Sequence, residues 1–234
     1  MIPEELNDAV ENLYAVFSGY GLKTHITGCP CCVSDADQEK IYSMHLRELQ
    51  GEDLSRYAFK AMTTWGNVND FKHFLPRILE LMRGDELNIH ASTVLGKLKY
   101  GRWESWESAE QKAVTAFLIA WWKHILAHHS CFDSSFFCGF YALTGTIEVL
   151  LQHWPVEIAG NTFVIYVDFI QFYYQDFIGR KNDFKDFDET VHTEFSGWIR
   201  KNTVFLEEGF YYFENNNGRF AAEISDALYT FEHS

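Results

Sequence analysis

Apolar residues recur at intervals of three and four along most of the chain, the spacing that turns one helix face toward a core. Leu6, Val10, Leu13 and Phe17 open the series behind Pro3, which suits a first helical turn, and Gly19 and Gly21 stop it. Ser34, followed by Asp35 and Asp37, reads as the N-cap of a second helix. Leu54, Tyr57, Ala58, Ala61 and Trp65 form the next stripe, closed by Gly66. Phe71, Phe74, Leu75, Ile78, Leu79 and Met82 follow, and Pro76 among them predicts a kink or a helix start near that residue. A weaker helix is expected over 87–98.

The pattern continues to the end of the chain. Ser105 or Ser108 caps a long helix reaching His129. Phe136, Phe140, Leu143, Ile147, Leu150 and Trp154 line a single helix ended by Pro155, and Phe163, Val167, Ile170, Tyr174 and Phe177 share a face of the one after it. Further helices are predicted over 188–202, 204–213 and 219–231, the last two separated by Asn215-Asn216-Asn217-Gly218. No fixed repeat period emerges, since tryptophans at 65, 103, 121, 154 and 198 are unevenly spaced. The expected fold is all-α: about ten helices in an irregular antiparallel stack, HEAT-like or an orthogonal bundle. A single domain over 1–234 is expected, with a weak boundary at 179–185.

Composition changes this picture in two respects. Aromatics make up 17% of the 234 residues, enough to fill a core and leave some for a contact surface. The formal net charge of −14 repels phosphate backbones and anionic lipids, which argues against nucleic-acid and membrane-surface binding and leaves a basic protein as the complementary partner. The longest apolar stretch, 113–122, suits a buried helix and is too short for a bilayer. The N-terminus lacks a basic segment followed by an apolar one, and five unevenly placed cysteines do not form a disulfide framework. A reducing cytoplasm is the expected compartment.

Soft-ligand chemistry is concentrated in Cys29-Pro30-Cys31-Cys32, with Gly28 and His25 before it. Cys29 and Cys32 have the two-residue gap of a zinc half-site, and His25 is the nearest further ligand; Cys31, His45 or His73 could complete a set of four. The same pair ahead of a helix N-terminus also reads as a redox dithiol, though only 23–27 could supply a neighbouring strand, and a plainly packed loop is the third reading. A structural zinc fits better than a catalytic one.

Other clusters have simpler readings. His124, His128 and His129 suit the negative end of a helix, and the glutamate of a zinc-protease motif is missing because Ile125 follows His124. Cys131 and Cys138 read as core thiols. Asp183, Asp186, Asp188 and Glu189 lack the glycine of a calcium loop and read as a helix start. Arg56, Tyr57, Lys60, Trp65, His73 and Arg77 could surround an anion pocket, but helical spacing already explains their apolar members as core. No phosphate loop, nucleophile elbow or dinucleotide fingerprint is present.

Gly28-Cys29-Pro30-Cys31-Cys32, Leu46-Arg47-Glu48-Leu49, Asp53-Leu54-Ser55-Arg56-Tyr57, Thr64-Trp65-Gly66 and Asp70-Phe71-Lys72-His73-Phe74-Leu75-Pro76-Arg77 together resemble an uncharacterised family of bacterial helical proteins. The resemblance covers about a quarter of the chain and implies a cytoplasmic helical protein with no assigned chemistry. The expectation is a non-enzymatic protein-interaction module, in its narrowest form a toxin-neutralising immunity-type protein with a basic partner. The alternative is a metal-dependent enzyme with zinc near Cys29 and Cys32.

Overall fold

The computed structural model describes residues 4–21, 25–84 and 86–233. The protein is all-α: thirteen α-helices and three short 3-10 turns, with no strand among the described residues and only two isolated bridges. The chain divides into two compact units, 1–121 and 122–234. The division falls inside one helix, whereas the polar stretch 179–185 lies within the second unit. No described helix is long and apolar enough to cross a membrane.

The first unit contains α1 (Glu4–Val16), α2 (Asp35–Tyr42), α3 (Gly51–Lys60), α4 (Val68–Arg83), α5 (Ala91–Tyr100) and the start of α6 (Ser108–His128), with 3-10 turns at Leu46–Glu48 and Trp103–Ser105. Pro3 lies outside the described residues. Helix α1 packs on α4 and α2 on α3, burying Leu6, Val10 and Leu13 from α1 and Phe71, Phe74, Leu75, Ile78 and Leu79 from α4. Helix α4 runs through Pro76 as one element, so no helix starts there. An Asn67 cap, whose Oδ1 accepts from Asn69 N at 2.8 Å, starts it one residue before Val68. The buried apolar face outweighs the single backbone bond that proline removes.

The second stripe of the sequence is only partly helical. Helix α3 ends at Lys60, and Met62 adopts a left-handed φ of 62°. Ala61 and Trp65 are therefore buried from a tight turn and not from a helix face. Helix α5 also starts later than the pattern suggested.

The second unit contains the end of α6, α7 (Ser134–Thr144), α8 (Glu148–Gln152), α9 (Asn161–Phe172), α10 (Tyr174–Ile178), α11 (Glu189–Asn202), α12 (Val204–Phe213) and α13 (Gly218–Glu232), with a 3-10 turn at Asn182–Asp186. Two expected helices are each broken in two. The first is interrupted at Gly145, whose φ of 75° is open to glycine without strain, so α7 stops there and α8 begins separately at Glu148. The second is interrupted at Tyr173, between α9 and α10. Both breaks let aromatic side chains from successive short helices meet in one core. Trp122, Phe132, Phe137, Trp154, Phe169 and Phe195 form a continuous set of ring contacts with centroid separations of 5.0–6.4 Å. Helix α13 covers this unit by packing against both α9 and α12.

Candidate metal centre

The cysteine loop is held from both sides. At its exit Val33 is buried, and Ser34 caps α2 in a reciprocal box: Asp37 N donates to Ser34 Oγ at 3.2 Å, and Ser34 N donates to Asp37 Oδ2 at 2.8 Å. Within the loop, the N–H groups of Cys32 and Val33 both donate to the Cys29 carbonyl at 2.9 Å. Across the loop, Cys29 N donates to Thr64 O and Gly66 N to Thr27 O, each at 2.8 Å. The turn after α3 thus serves as a backbone clamp, with Trp65 buried in it.

This folding brings three thiols together. The Sγ atoms of Cys29 and Cys31 are 3.0 Å apart, those of Cys31 and Cys32 are 3.6 Å apart, and all three lie within 4.8 Å of one another. They form the one group of three or more metal-ligating side chains among the described residues, and it can hold a metal ion. Cys31 is exposed; Cys29 and Cys32 are half-buried. The hydrogen bond between Cys29 and Cys31 splits their acidities: it holds the Cys29 thiol below its ordinary value and pushes Cys31 up to about 11. Two cations from α3 stand over the loop. Lys60 Nζ donates to the Cys32 carbonyl at 2.5 Å and Arg56 Nη2 at 3.1 Å, while Arg56 Nε also pairs with Asp37 at 3.1 Å. Lys97 on α5 bonds the turn after α3: its Nζ donates to Thr63 at 3.3 Å, and burial lowers its pKa. A positive margin in a chain of net charge −14 suits the negative charge of thiolates.

Of the three ligands read from the sequence, Cys29 and Cys32 belong to this group and His25 does not; its side chain is exposed. Residues 23 and 24 of the stretch 23–27 lie outside the described residues, and 25–27 form no strand. The third thiol is Cys31, one of the three residues that could complete the set by sequence; the other two, His45 and His73, do not join it. The set that could have surrounded an anion pocket is divided, in keeping with the reading of its apolar members as core. Arg56 and Lys60 serve the cysteine loop, Tyr57 and Trp65 are core, and Arg77 bonds Glu80 and the Leu49 carbonyl, both at 2.7 Å.

His45 and His73 instead line a separate cleft of about 660 Å³, between α1, the 3-10 turn at Leu46–Glu48 and α4. His73 Nδ1 meets the Tyr20 carbonyl at 2.6 Å; because a carbonyl only accepts, that nitrogen carries the proton. Tyr20 is itself held by a buried pair, donating to Glu110 Oε1 at 2.5 Å and accepting from Lys72 Nζ at 3.0 Å.

The remaining clusters are structural. His124 and His128 stack at 4.5 Å in the last turns of α6, outside any three-ligand group. Asp188 caps α11, accepting from Val191 N at 2.9 Å, as the acidic run suggested. Cys138 is a core thiol, its pKa raised by burial and then by Asp183, but Cys131 corrects the expectation: it is exposed in the segment between α6 and α7. No protein family, curated protein or solved structure matches this chain.

Proposed function

We propose that the protein is a helical metal-binding protein whose Cys29, Cys31 and Cys32 thiolates hold one zinc-class ion. The observation that carries this reading is the convergence of three Sγ atoms within 4.8 Å on a clamped loop. Tetrahedral zinc with Zn–S bonds of about 2.3 Å needs sulfurs about 3.8 Å apart, so the 3.0 and 3.6 Å pairs need only open slightly. Thiolates select zinc over hard ions such as magnesium. A zinc here would cross-link Cys29, Cys31 and Cys32 within the loop that backbone bonds already join to the turn after α3, and three protein ligands leave its fourth position to solvent.

Protein purified without chelator is expected to carry one zinc per chain by elemental analysis, and cobalt substitution to give sulfur-to-cobalt charge-transfer bands. Cys31→Ser should lower affinity at least about 100-fold, since even losses beyond the direct ligands cost about 10–100-fold. His25→Ala should leave the occupancy intact, with solvent in the fourth position. Metal-free protein that also fails to take up cobalt would refute the reading.

A second reading, a protein-interaction module, is favoured by α12. Tyr211 and Tyr212 are exposed there beside Glu207 and Glu208, and the helix carries no basic residue. Such a surface fits a basic protein, with the tyrosines as anchors. Affinity capture at low salt should recover a basic partner with the native chain and lose it with Tyr211→Ser/Tyr212→Ser; equal recovery would count against this surface.

A further inference from the structure

We propose that Cys29 and Cys31 are an oxidisable thiol pair, and that a peroxide converts them to a disulfide and so releases the metal ion held at the loop. The release step rests on the metal-binding reading above; the disulfide step does not.

Three observations carry it. The first is distance: at 3.0 Å this pair of sulfurs is closer than the Cys31–Cys32 pair at 3.6 Å, and needs about 1 Å of approach to reach the ~2.05 Å of a disulfide bond. The second is access, because Cys31 is exposed and Cys29 half-buried, so a small oxidant reaches the pair from solvent. The third is restraint. The backbone bonds from Cys29 to Thr64 and from Cys32 and Val33 to Cys29, with Lys60 and Arg56 on the Cys32 carbonyl, keep the thiols grouped after an ion leaves. The other two cysteines lack this arrangement: Cys138 is buried, and Cys131 belongs to no group of three ligands among the described residues.

The chemistry balances with hydrogen peroxide as the oxidant. One thiolate of the pair attacks a peroxide oxygen; the O–O bond breaks, hydroxide leaves, and a sulfenic acid forms. The second thiol attacks that sulfur, the S–O bond breaks, and water leaves as the disulfide closes. Two electrons pass from two sulfurs to the peroxide. The ion then keeps Cys32 as its one thiolate among the three, too few for a tetrahedral site.

The test uses the full chain with zinc bound, treated with one equivalent of hydrogen peroxide in the presence of a chromogenic chelator. One zinc should be released per disulfide formed, and the intact mass should fall by about 2 Da for the two hydrogens lost. Peptide mapping should place the bond at Cys29–Cys31, and dithiothreitol should restore zinc binding. Cys131→Ser should change none of this. Metal-free chain treated in the same way should form the same disulfide, and Cys31→Ser should not. A bond at another pair, oxidation to sulfinic acid without a disulfide, or zinc retained after the disulfide forms would overturn the inference. A chain that takes up no metal but closes Cys29–Cys31 would refute the function reading and the release step while leaving the oxidisable pair in place.

Discussion

Lys72→Met is expected to destabilise the first unit by about 3–5 kcal/mol, the cost of leaving one charge of a buried pair uncompensated. The Lys72 and Glu110 side chains are 9% and 5% exposed, and Nζ lies 2.6 Å from Oε2. Burial pushes the Glu110 carboxyl up, but bonds from Lys72, Tyr20 and Glu107 N outweigh it and hold the group below its ordinary value. The sign of the pH dependence follows. A depressed carboxyl contributes stability that is present above its ordinary value near 4.5 and lost as the pH falls through its value in the folded chain. In Lys72→Met the remaining carboxylate gains by neutralising, so the deficit should shrink on going from pH 7 to pH 4. Adding Glu110→Gln removes the uncompensated charge while keeping an acceptor for Tyr20, and should recover about half of the loss. Urea unfolding, with hydrogen exchange read on peptides of α4 and α6, measures both variants beside the native chain. A single variant as stable as the native chain would show that the pair contributes nothing.

Trp154→Ala is expected to cost the second unit about 3–5 kcal/mol, the range for removing a buried aromatic without collapse of its site. Trp154 is 1% exposed and touches Trp122, Phe132, Phe137, Tyr166, Phe169 and Trp198 at centroid distances of 4.8–6.4 Å. Its Nε1 also donates to the Thr162 carbonyl at 3.1 Å, which joins the end of α8 to the start of α9. Trp154→Phe keeps most of the apolar contact and loses that bond, so it should cost about 1–2 kcal/mol. Denaturant unfolding with exchange of peptides from α7 and α9 reads the difference. Equal losses for the two variants would show that the indole bond, and not ring packing, is what Trp154 supplies.

The metal reading and the oxidation inference share one loop but stand on different properties of it. Binding needs three thiolates that can open to tetrahedral spacing; oxidation needs two that can close to bonding distance. A clamped backbone with free side chains permits both. Lys60 and Arg56 favour both as well, since neighbouring cations stabilise thiolates whether or not an ion is present.

Much of the helical content was legible in the sequence because period and caps are local. The Ser34 box, the Asp188 cap and the 204–213 helix follow from residues within a few positions of one another. Breaks were less legible. Apolar spacing continues through Gly145 and Tyr173, so the pattern reads as two helices where backbone angles make four. The α3 stripe ran past Lys60 for the same reason: Ala61 and Trp65 are buried, and burial alone does not say whether a helix or a turn presents them.

By itself, the sequence determined an all-α chain, the position of most helices and a loop with the ligand chemistry to be tested. Tertiary structure decided which of the candidate ligands belong to that loop's site. Cys31 joins Cys29 and Cys32 because the turn at 61–66, more than thirty residues away, fixes the loop through backbone hydrogen bonds that carry no side-chain signature. His25, His45 and His73 fall outside the group because ligand spacing along a chain sets reach, whereas convergence depends on which distant segment the loop is bonded to.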